Sequence, residues 1–183
     1  TMASFQIDYD DEVEFAAKRK LFDYARDGTK PWCMVASFIH PHDPYVARPE
    51  WWNLYSDDDI DMPRHPGYAT DSVGKRVLEG IEANSKPFTD EETCRVRRAC
   101  YADISYFDSK IGALVQTIEE MGQMDNTIII ATADHGDMLG GKGLWYKMNF
   151  FEHAARVPLI MAGPGVAQGC LLYTSPSPRD VEE

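Results

Sequence analysis

The amino-acid sequence predicts an α/β fold with a mostly parallel sheet flanked by helices. Helical stripes of apolar residues alternate with three short apolar runs, and each run is apolar throughout rather than at every second position. Strands of a parallel sheet have this pattern because helices cover both of their faces. With 44% hydrophobic and 26% charged residues in 183, the composition is that of a globular protein with a core of ordinary size.

The first part of the chain predicts one helix, one strand and a long loop. Apolar residues recur at every fourth position over residues 11–27, so this segment should be a helix that Asp10 caps and Gly28 ends. The apolar run WCMVASFI, residues 32–39, then predicts a buried strand. Residues 40–68 are rich in proline, aspartate and aromatic side chains, and a loop of this length is usually functional.

The second part predicts two more helices and two strands. One helix is expected over roughly residues 71–83. A longer helix begins at a capping box opened by Thr89 and ends at Gly122. The β-branched run TIIIATA, residues 127–133, predicts a strand, and a last strand is expected near residues 157–162.

The charge of the chain disfavours two classes of binding partner, and its cysteines do not form a metal-binding motif. The formal net charge of −12 disfavours binding to nucleic acid or to an anionic membrane surface, and no apolar run approaches the ~20 residues of a membrane span. No signal-like segment is visible at the start, which favours a cytoplasmic location. The four cysteines have no metal-like spacing and are expected to be free, mostly buried thiols. Nothing in the sequence indicates an oligomeric state.

The end of the chain differs in character from the rest. The string CLLYTSPSPRD, which begins at Cys170, matches the translation of one reading frame of a common transposase sequencing adapter. Residues 170–183 are therefore predicted to be a non-native tail, with a natural disordered tail as the alternative. Residues 1–169 are predicted to be a fragment of one catalytic domain.

Polar residues that bind metals or transfer protons follow two of the predicted strands. The first strand is followed by His-Pro-His-Asp-Pro, which includes His42, and the strand at 127–133 is followed by Asp134, His135 and Gly136. Ligands of open α/β sheets bind at the carboxyl ends of strands. Carboxylate and imidazole suit a divalent cation. The structural alternatives are an Asx turn at Asp134 and a histidine packed on prolines at His42.

Two further features have both a functional and a structural interpretation. Lys147 lies among aromatic and apolar residues, where its ammonium group suits an anionic sulfate or phosphate, although an ordinary surface lysine is the simpler interpretation. The acidic run from Asp57 to Asp61 is expected to be a solvated surface, and a metal site there is a minor alternative.

With these residues in view, the sequence resembles the type I sulfatases of the alkaline-phosphatase-like superfamily. The resemblance lies in NTIIIATADHGDMLGGKGLWYKMNFFEHAARVPLIMAGP, residues 126–164, and in SFIHPHDPY, residues 37–45. It extends over nearly all of residues 1–169. Within the family, GLWYKMNFFE and ARVPL are most similar to choline sulfatases. The resemblance implies a partial sulfatase fold and hydrolysis of a small-molecule sulfate ester.

The resemblance also implies a role for each candidate residue. Asp134 and His135 would be ligands of the active-site cation, which is Ca²⁺ in most sulfatases. Lys147 would contact the sulfate and the leaving oxygen. His42 would be the second sulfate contact and the acid for the leaving alcohol. His40 has no counterpart with an assigned role.

One part of the family pattern has no match in the chain. The motif C-x-P-x-R or S-x-P-x-R, whose Cys or Ser becomes the formylglycine nucleophile, does not occur. The nucleophile is therefore expected upstream of Thr1, and the fragment alone is expected to be inactive. Two alternatives stay open: a phosphonate or phosphate diesterase of the same superfamily, and a non-catalytic metal-binding α/β domain. The alcohol part of the substrate cannot be deduced from the sequence.

Overall fold

The structure is a computed structural model that describes residues 1–64, 71–80 and 87–169. In these ranges the helices and strands are α1 (Phe5–Asp27), α2 (Pro49–Trp52), α3 (Ser72–Gly80), α4 (Asp90–Glu120), β1 (Ile129–Thr132), α5 (Glu152–Ala155) and β2 (Leu159–Ala162). Among the described residues, no helix is both long and apolar enough to cross a lipid bilayer. The predicted end of the second helix at 81–83 and the predicted tail at 170–183 lie outside the described residues.

Helix α1 begins earlier than the sequence predicts. Its cap is Ser4, whose hydroxyl accepts the Ile7 N–H at 3.2 Å, so the prediction of Asp10 as the cap is wrong. Serine and aspartate cap equally well, and apolar spacing does not distinguish between them. The Asp10 side chain is fully buried instead. The predicted end at Gly28 is confirmed, because Gly28 has a left-handed φ of 57° that glycine adopts without strain.

The long helix α4 confirms the predicted capping box. The Thr89 hydroxyl accepts the Glu92 N–H at 3.1 Å, and the Glu92 carboxylate accepts the Thr89 N–H at 2.9 Å. Further along, α4 packs on α1 through polar contacts. The Lys110 ammonium donates to Glu14 at 2.7 Å, and the Tyr106 hydroxyl donates to Asp11 at 2.8 Å. The two helices therefore form one layer that supports the loops described below.

The strands β1 and β2 confirm the last two predicted strands, but they pair antiparallel, with Ile129 opposite Ala162 and Thr132 opposite Leu159. A parallel crossover needs about a dozen residues or more, usually as a helix. The connection between β1 and β2 has only a three-residue 3₁₀ turn, Gly141–Gly143, and the four-residue α5, so it has no crossover helix and the chain returns antiparallel. Mostly parallel sheets commonly include one such antiparallel strand.

The predicted strand at 32–39 does not form a ladder within the described residues. The segment has no regular secondary structure, and exposed residues alternate in it with half-buried ones; Val35 is 87% exposed. A strand requires a neighbouring strand to bond with, and the described residues do not supply one. Among the described residues Cys33 is exposed, Cys94 is half-buried and Cys100 is buried, and all three are free, so the prediction of free thiols is confirmed for them and the prediction of mostly buried ones is wrong.

The predicted loop after the first strand includes short helical turns, and its acidic run has structural partners. Residues Asp57–Asp59 form a 3₁₀ turn. Asp57 accepts from Arg98 at 2.9 Å and Asp61 accepts from Arg97 at 2.8 Å. These ion pairs fasten the loop to α4. They favour a structural role for the acidic run over a metal site.

Candidate active site

The first half of the site is the loop that leaves β1. Asp134 and His135 lie just past the last residue of β1, as the sequence predicts. The Asp134 Oδ1 accepts the His135 N–H at 3.0 Å, which leaves Oδ2 at 3.7 Å from the His135 Nε2. The Asp134 side chain is 87% exposed, so it is not a buried structural carboxylate. One oxygen and one nitrogen therefore point to the same side of this loop.

The tautomer of His135 follows from its neighbours. Its Nδ1 lies 2.8 Å from the Gly136 carbonyl, which can only accept a hydrogen bond. The ring therefore has its proton on Nδ1, and the lone pair of Nε2 is free. Metal-binding histidines are commonly oriented by such a hydrogen bond from the second ring nitrogen.

Gly136 is required by close packing of the backbone. A Cβ at this position would lie 2.0 Å from the His153 carbonyl oxygen, which is too close for any side chain. The Gly136 N–H donates to the Ala154 carbonyl at 2.7 Å. The partner of the glycine is helix α5 of the chain itself. The loop that includes Asp134 and His135 is thus fixed against α5.

The second half of the site is the turn that follows residues 32–39. The His42 N–H donates to the Ile39 carbonyl at 2.9 Å and closes the turn. The His42 Nδ1 lies 2.7 Å from the Asp43 carbonyl, and its Nε2 contacts the Lys147 ammonium. An ammonium group can only donate, so Nε2 is the acceptor in this contact and the ring proton lies on Nδ1.

The two halves meet at His42. Its ring lies against the His135 ring, with the two centroids 6.0 Å apart, and it also contacts Lys147. Asp134 lies next to His135, with its Oδ2 3.7 Å from the His135 Nε2. All four residues that the sequence singles out therefore lie together, although they belong to segments about a hundred residues apart. An ammonium group, two imidazole rings and a carboxylate thus lie together at one exposed site.

A hydrogen bond between Tyr45 and Asp137 connects the two halves. The Tyr45 hydroxyl donates to the Asp137 Oδ2 at 2.6 Å. The Asp137 Oδ1 accepts the N–H groups of Leu139 at 2.9 Å and Tyr146 at 3.2 Å. Tyr146 has a positive φ of 66°, which is unfavourable for a non-glycine residue. Asp137 thus holds the backbone just before Lys147 in a strained conformation.

Burial sets the acidity of the groups around this hydrogen bond. Burial raises the pKa of the Tyr45 hydroxyl, and the hydrogen bond to Asp137 raises it further, so Tyr45 stays a donor at all ordinary pH values. Burial also raises the pKa of the nearby Cys100 thiol to about 12. Cys100 is therefore an unreactive packing residue. Sequence reasoning missed Tyr45 and Asp137, because residues 92 positions apart leave no local signal of their contact.

His40 has a structural partner that sequence reasoning missed. The His40 Nδ1 lies 2.6 Å from the Asp10 Oδ2, and both side chains are fully buried. Asp10 also accepts the Ile39 N–H at 2.7 Å and the His40 N–H at 3.1 Å. The second ring nitrogen of His40 is buried without a partner among the described residues. His40 thus belongs to the support of the turn and does not line the site.

Asp134 and His135 fit a divalent cation as two of its ligands. A carboxylate oxygen and an imidazole nitrogen lie on one side of the loop, and the nitrogen has a free lone pair. Among the described residues, no group of three or more histidines, cysteines or acidic residues is close enough to hold a metal ion. The pair alone would therefore be only part of a coordination sphere, since Ca²⁺ takes six to eight oxygen ligands and Mg²⁺ six.

Comparison with known proteins gives consistent matches. The family model described as Sulfatase matches residues 6–179. The chain is 45% identical to a choline-sulfatase of Rhizobium meliloti over 179 residues, which is 94% of this chain and 35% of that protein. It is 29% identical to an arylsulfatase of Clostridium perfringens over 140 residues, 76% of this chain and 29% of that protein. The chain thus spans about a third of the length of these relatives.

A solved structure supports the predicted fold class. The phosphonate monoester hydrolase of Silicibacter pomeroyi superimposes with a TM-score of 0.66 at 25% identity, over 86% of this chain and 33% of that one. This likeness and the family match confirm the predicted α/β class. The family match extends into residues 170–179, and the predicted non-native origin of the tail stays a prediction.

Proposed function

Because the chain belongs to the sulfatase family, whose members generally use a divalent metal cation, we propose that it is the leaving-group and cation-binding part of a sulfuric ester hydrolase. The observation that supports this proposal most strongly is the contact between Lys147 and His42 next to Asp134 and His135. Cleavage of a sulfate ester needs positive charge where the leaving oxygen becomes negative, and an acid that protonates it. The site has a candidate for each.

Lys147 supplies the positive charge. Lys147 is half-buried as a residue, and its ammonium group contacts His42 at the exposed site, where a positive charge attracts an anion. Its three N–H groups can reach a sulfate oxygen and the bridging oxygen of the ester together. The charge on the bridging oxygen increases as the S–O bond breaks, so this contact strengthens in the transition state.

His42 supplies the proton for the alcohol. In the free site its Nε2 lone pair accepts from Lys147, while its Nδ1 proton is held by the Asp43 carbonyl. An anionic ester that enters between the two side chains favours protonation of Nε2. The proton on Nε2 then passes to the bridging oxygen as the S–O bond breaks. The Nδ1–H bond to Asp43 keeps the ring oriented during this transfer.

Asp134 and His135 supply two ligands to the cation, which we propose to be Ca²⁺. The cation, when bound, draws negative charge from the sulfate oxygens. The remaining ligands and the nucleophile are proposed to come from the part of a sulfatase that this chain does not match, because residues 1–183 include no C-x-P-x-R or S-x-P-x-R motif. The isolated chain is accordingly proposed to be inactive.

Choline sulfate is the proposed substrate, and an aryl sulfate is the second choice. The basis is the identity of 45% with a protein named choline-sulfatase, against 29% for an arylsulfatase. A phosphonate or phosphate ester is the alternative within the superfamily, favoured by the likeness to a phosphonate monoester hydrolase. Parallel assays with all three ester types would distinguish these possibilities.

The test is a chimera in which residues 1–169 replace the matching segment of the Rhizobium meliloti choline-sulfatase. Sulfate release and metal content are measured for the chimera and for its Asp134→Ala and Lys147→Ala variants. Loss of one electrostatic contact of this kind typically costs 10²–10³ in turnover, so both variants should fall by about that much. Lys147→Ala should retain metal and Asp134→Ala should lose it. Near-normal sulfate release from Asp134→Ala would mean that Asp134 and His135 are structural residues, and the proposal would have to be withdrawn.

A further inference from the structure

Helix α1 holds the His42 turn at two points. Gln6 and Asp10 are four residues apart on α1, so their side chains lie on the same face of the helix. The Gln6 Nε2 donates to the His42 carbonyl and to the Asp43 carbonyl, each at 3.1 Å. Asp10 accepts the N–H groups of Ile39 and His40 at the other end of the turn.

The two contacts are complementary in hydrogen bonding. The carboxylate of Asp10 meets only donors, and the amide N–H₂ of Gln6 meets only acceptors. Asp10 is fully buried and also holds the ring of His40 at 2.6 Å. Hydrogen bonds to a charged group are stronger than those between neutral groups, so Asp10 is the stronger of the two points.

The Gln6 contact continues to the reactive nitrogen of His42. The Asp43 carbonyl that accepts from Gln6 also accepts the Nδ1–H of His42 at 2.7 Å, and the Asp43 Oδ1 lies 3.2 Å from the same nitrogen. When this carbonyl is fixed, the proton stays on Nδ1 and the lone pair of Nε2 faces Lys147. A histidine tautomer is set by the hydrogen bond that its other nitrogen makes.

We propose that Gln6 and Asp10 are positioning residues for His42, which fix its turn and select the tautomer with the proton on Nδ1. The importance of this tautomer for catalysis rests on the proposed function, in which His42 is the acid. The selection of the tautomer itself is a property of the chain and does not require a sulfate ester.

The test is nitrogen NMR of histidine in the full 183-residue chain with ¹⁵N-labelled imidazole rings, at a pH where histidine is neutral. The His42 signals are assigned by their loss in His42→Gln. In the unsubstituted chain, Nδ1 of His42 should be protonated and Nε2 should not. In Gln6→Ala, the fraction with the proton on Nδ1 should fall by at least about twofold, because one donor no longer fixes the Asp43 carbonyl.

Matched variants separate positioning from a general loss of structure. Gln116→Ala removes a glutamine that bonds only locally, to Glu120 on α4, and Asp8→Asn removes the charge of an exposed carboxylate on α1. Both should leave the His42 tautomer unchanged. Asp10→Asn should change the signals of both His40 and His42. Gln6 is not part of the buried core, so Gln6→Ala decides the matter if Asp10→Asn does not fold.

An unchanged His42 tautomer in a folded Gln6→Ala chain would overturn the proposal. This result is distinguishable from a failure of the proposed function. If the chain is not part of a sulfatase site, the chimera lacks activity but the tautomer still responds to Gln6→Ala. If only the positioning proposal is wrong, the chimera is active and the tautomer does not respond.

Discussion

Asp103 makes the stability of the chain depend on pH in an unusual direction. Its side chain lies fully buried on α4, where Oδ2 accepts the Val46 N–H at 3.0 Å and Oδ1 has no partner among the described residues. Burial raises the pKa of Asp103 to about 7 from its ordinary value of 3.8, and His40 opposes part of this rise. Replacement by asparagine keeps the acceptor for Val46 and removes the titration.

The sign of the effect follows from proton binding. Between about pH 4 and pH 7 the folded chain retains a proton on Asp103 that the unfolded chain has released, so the free energy of unfolding falls as pH rises. One pKa unit corresponds to about 1.4 kcal/mol. A rise of about three units therefore gives a penalty of about 4 kcal/mol, which is complete above about pH 7 and absent below about pH 4.

The assay is urea denaturation of the unsubstituted chain and of Asp103→Asn at about pH 5 and about pH 8. Other titrating groups are common to both chains and cancel in the comparison. The unsubstituted chain should lose about 2–4 kcal/mol more than Asp103→Asn between the two pH values. Equal losses in the two chains would refute the argument that Asp103 is buried with a raised pKa.

Two other substitutions test the supports of the site. Gly136→Ala places a Cβ against the His153 carbonyl and should destabilise the chain by about 1–3 kcal/mol. The control is Gly112→Ala on α4, where a Cβ meets nothing within 4 Å, and it should stabilise the chain by about 0.5–1 kcal/mol. Thermal melting of the two variants measures both effects. Burial alone raises the pKa of Asp11, but hydrogen bonds, foremost from Lys110, lower it to about 2. Asp11→Asn should therefore lower the urea midpoint near pH 7. The difference between the two chains should disappear as the pH falls from about 4 to about 2, because Asp11 then becomes protonated in the folded chain too.

The elements that the sequence predicts well have local signals. The capping box of Thr89 and Glu92 is closed by residues three positions apart, and the structure has both of its hydrogen bonds. The end of α1 at Gly28 is likewise local, because a left-handed residue there is favourable only for glycine. Asp134 and His135 come just after β1 in the chain, so a correct prediction of the strand is enough to place them at its end.

The features that the sequence does not predict depend on distant partners. Asp10 has the features of a helix cap, but its actual partners are about 30 positions away at Ile39 and His40. Tyr45 and Asp137 are 92 positions apart. The pairing partner of a strand is also non-local, and for this reason the apolar run at 32–39 does not specify a ladder. Such contacts depend on how the layers pack.

The central claim is that His42 protonates the leaving oxygen of a sulfate ester. A general acid matters most for a poor leaving group, because an oxygen that is already stable as an anion does not need the proton. His42→Ala in the chimera should therefore have very different effects on an alkyl sulfate, such as choline sulfate, and on 4-nitrophenyl sulfate. The Lys147→Ala variant serves as the comparison, since loss of its charge affects both esters.

The decisive measurement is kcat/KM of His42→Ala for the two esters, each relative to the unsubstituted chimera. The account predicts a loss of about 10²–10⁴ for choline sulfate, the usual contribution of a general acid, and a loss at least about tenfold smaller for 4-nitrophenyl sulfate. Equal losses for the two esters, or a normal rate on choline sulfate, would contradict the account and leave His42 as a structural residue of its turn.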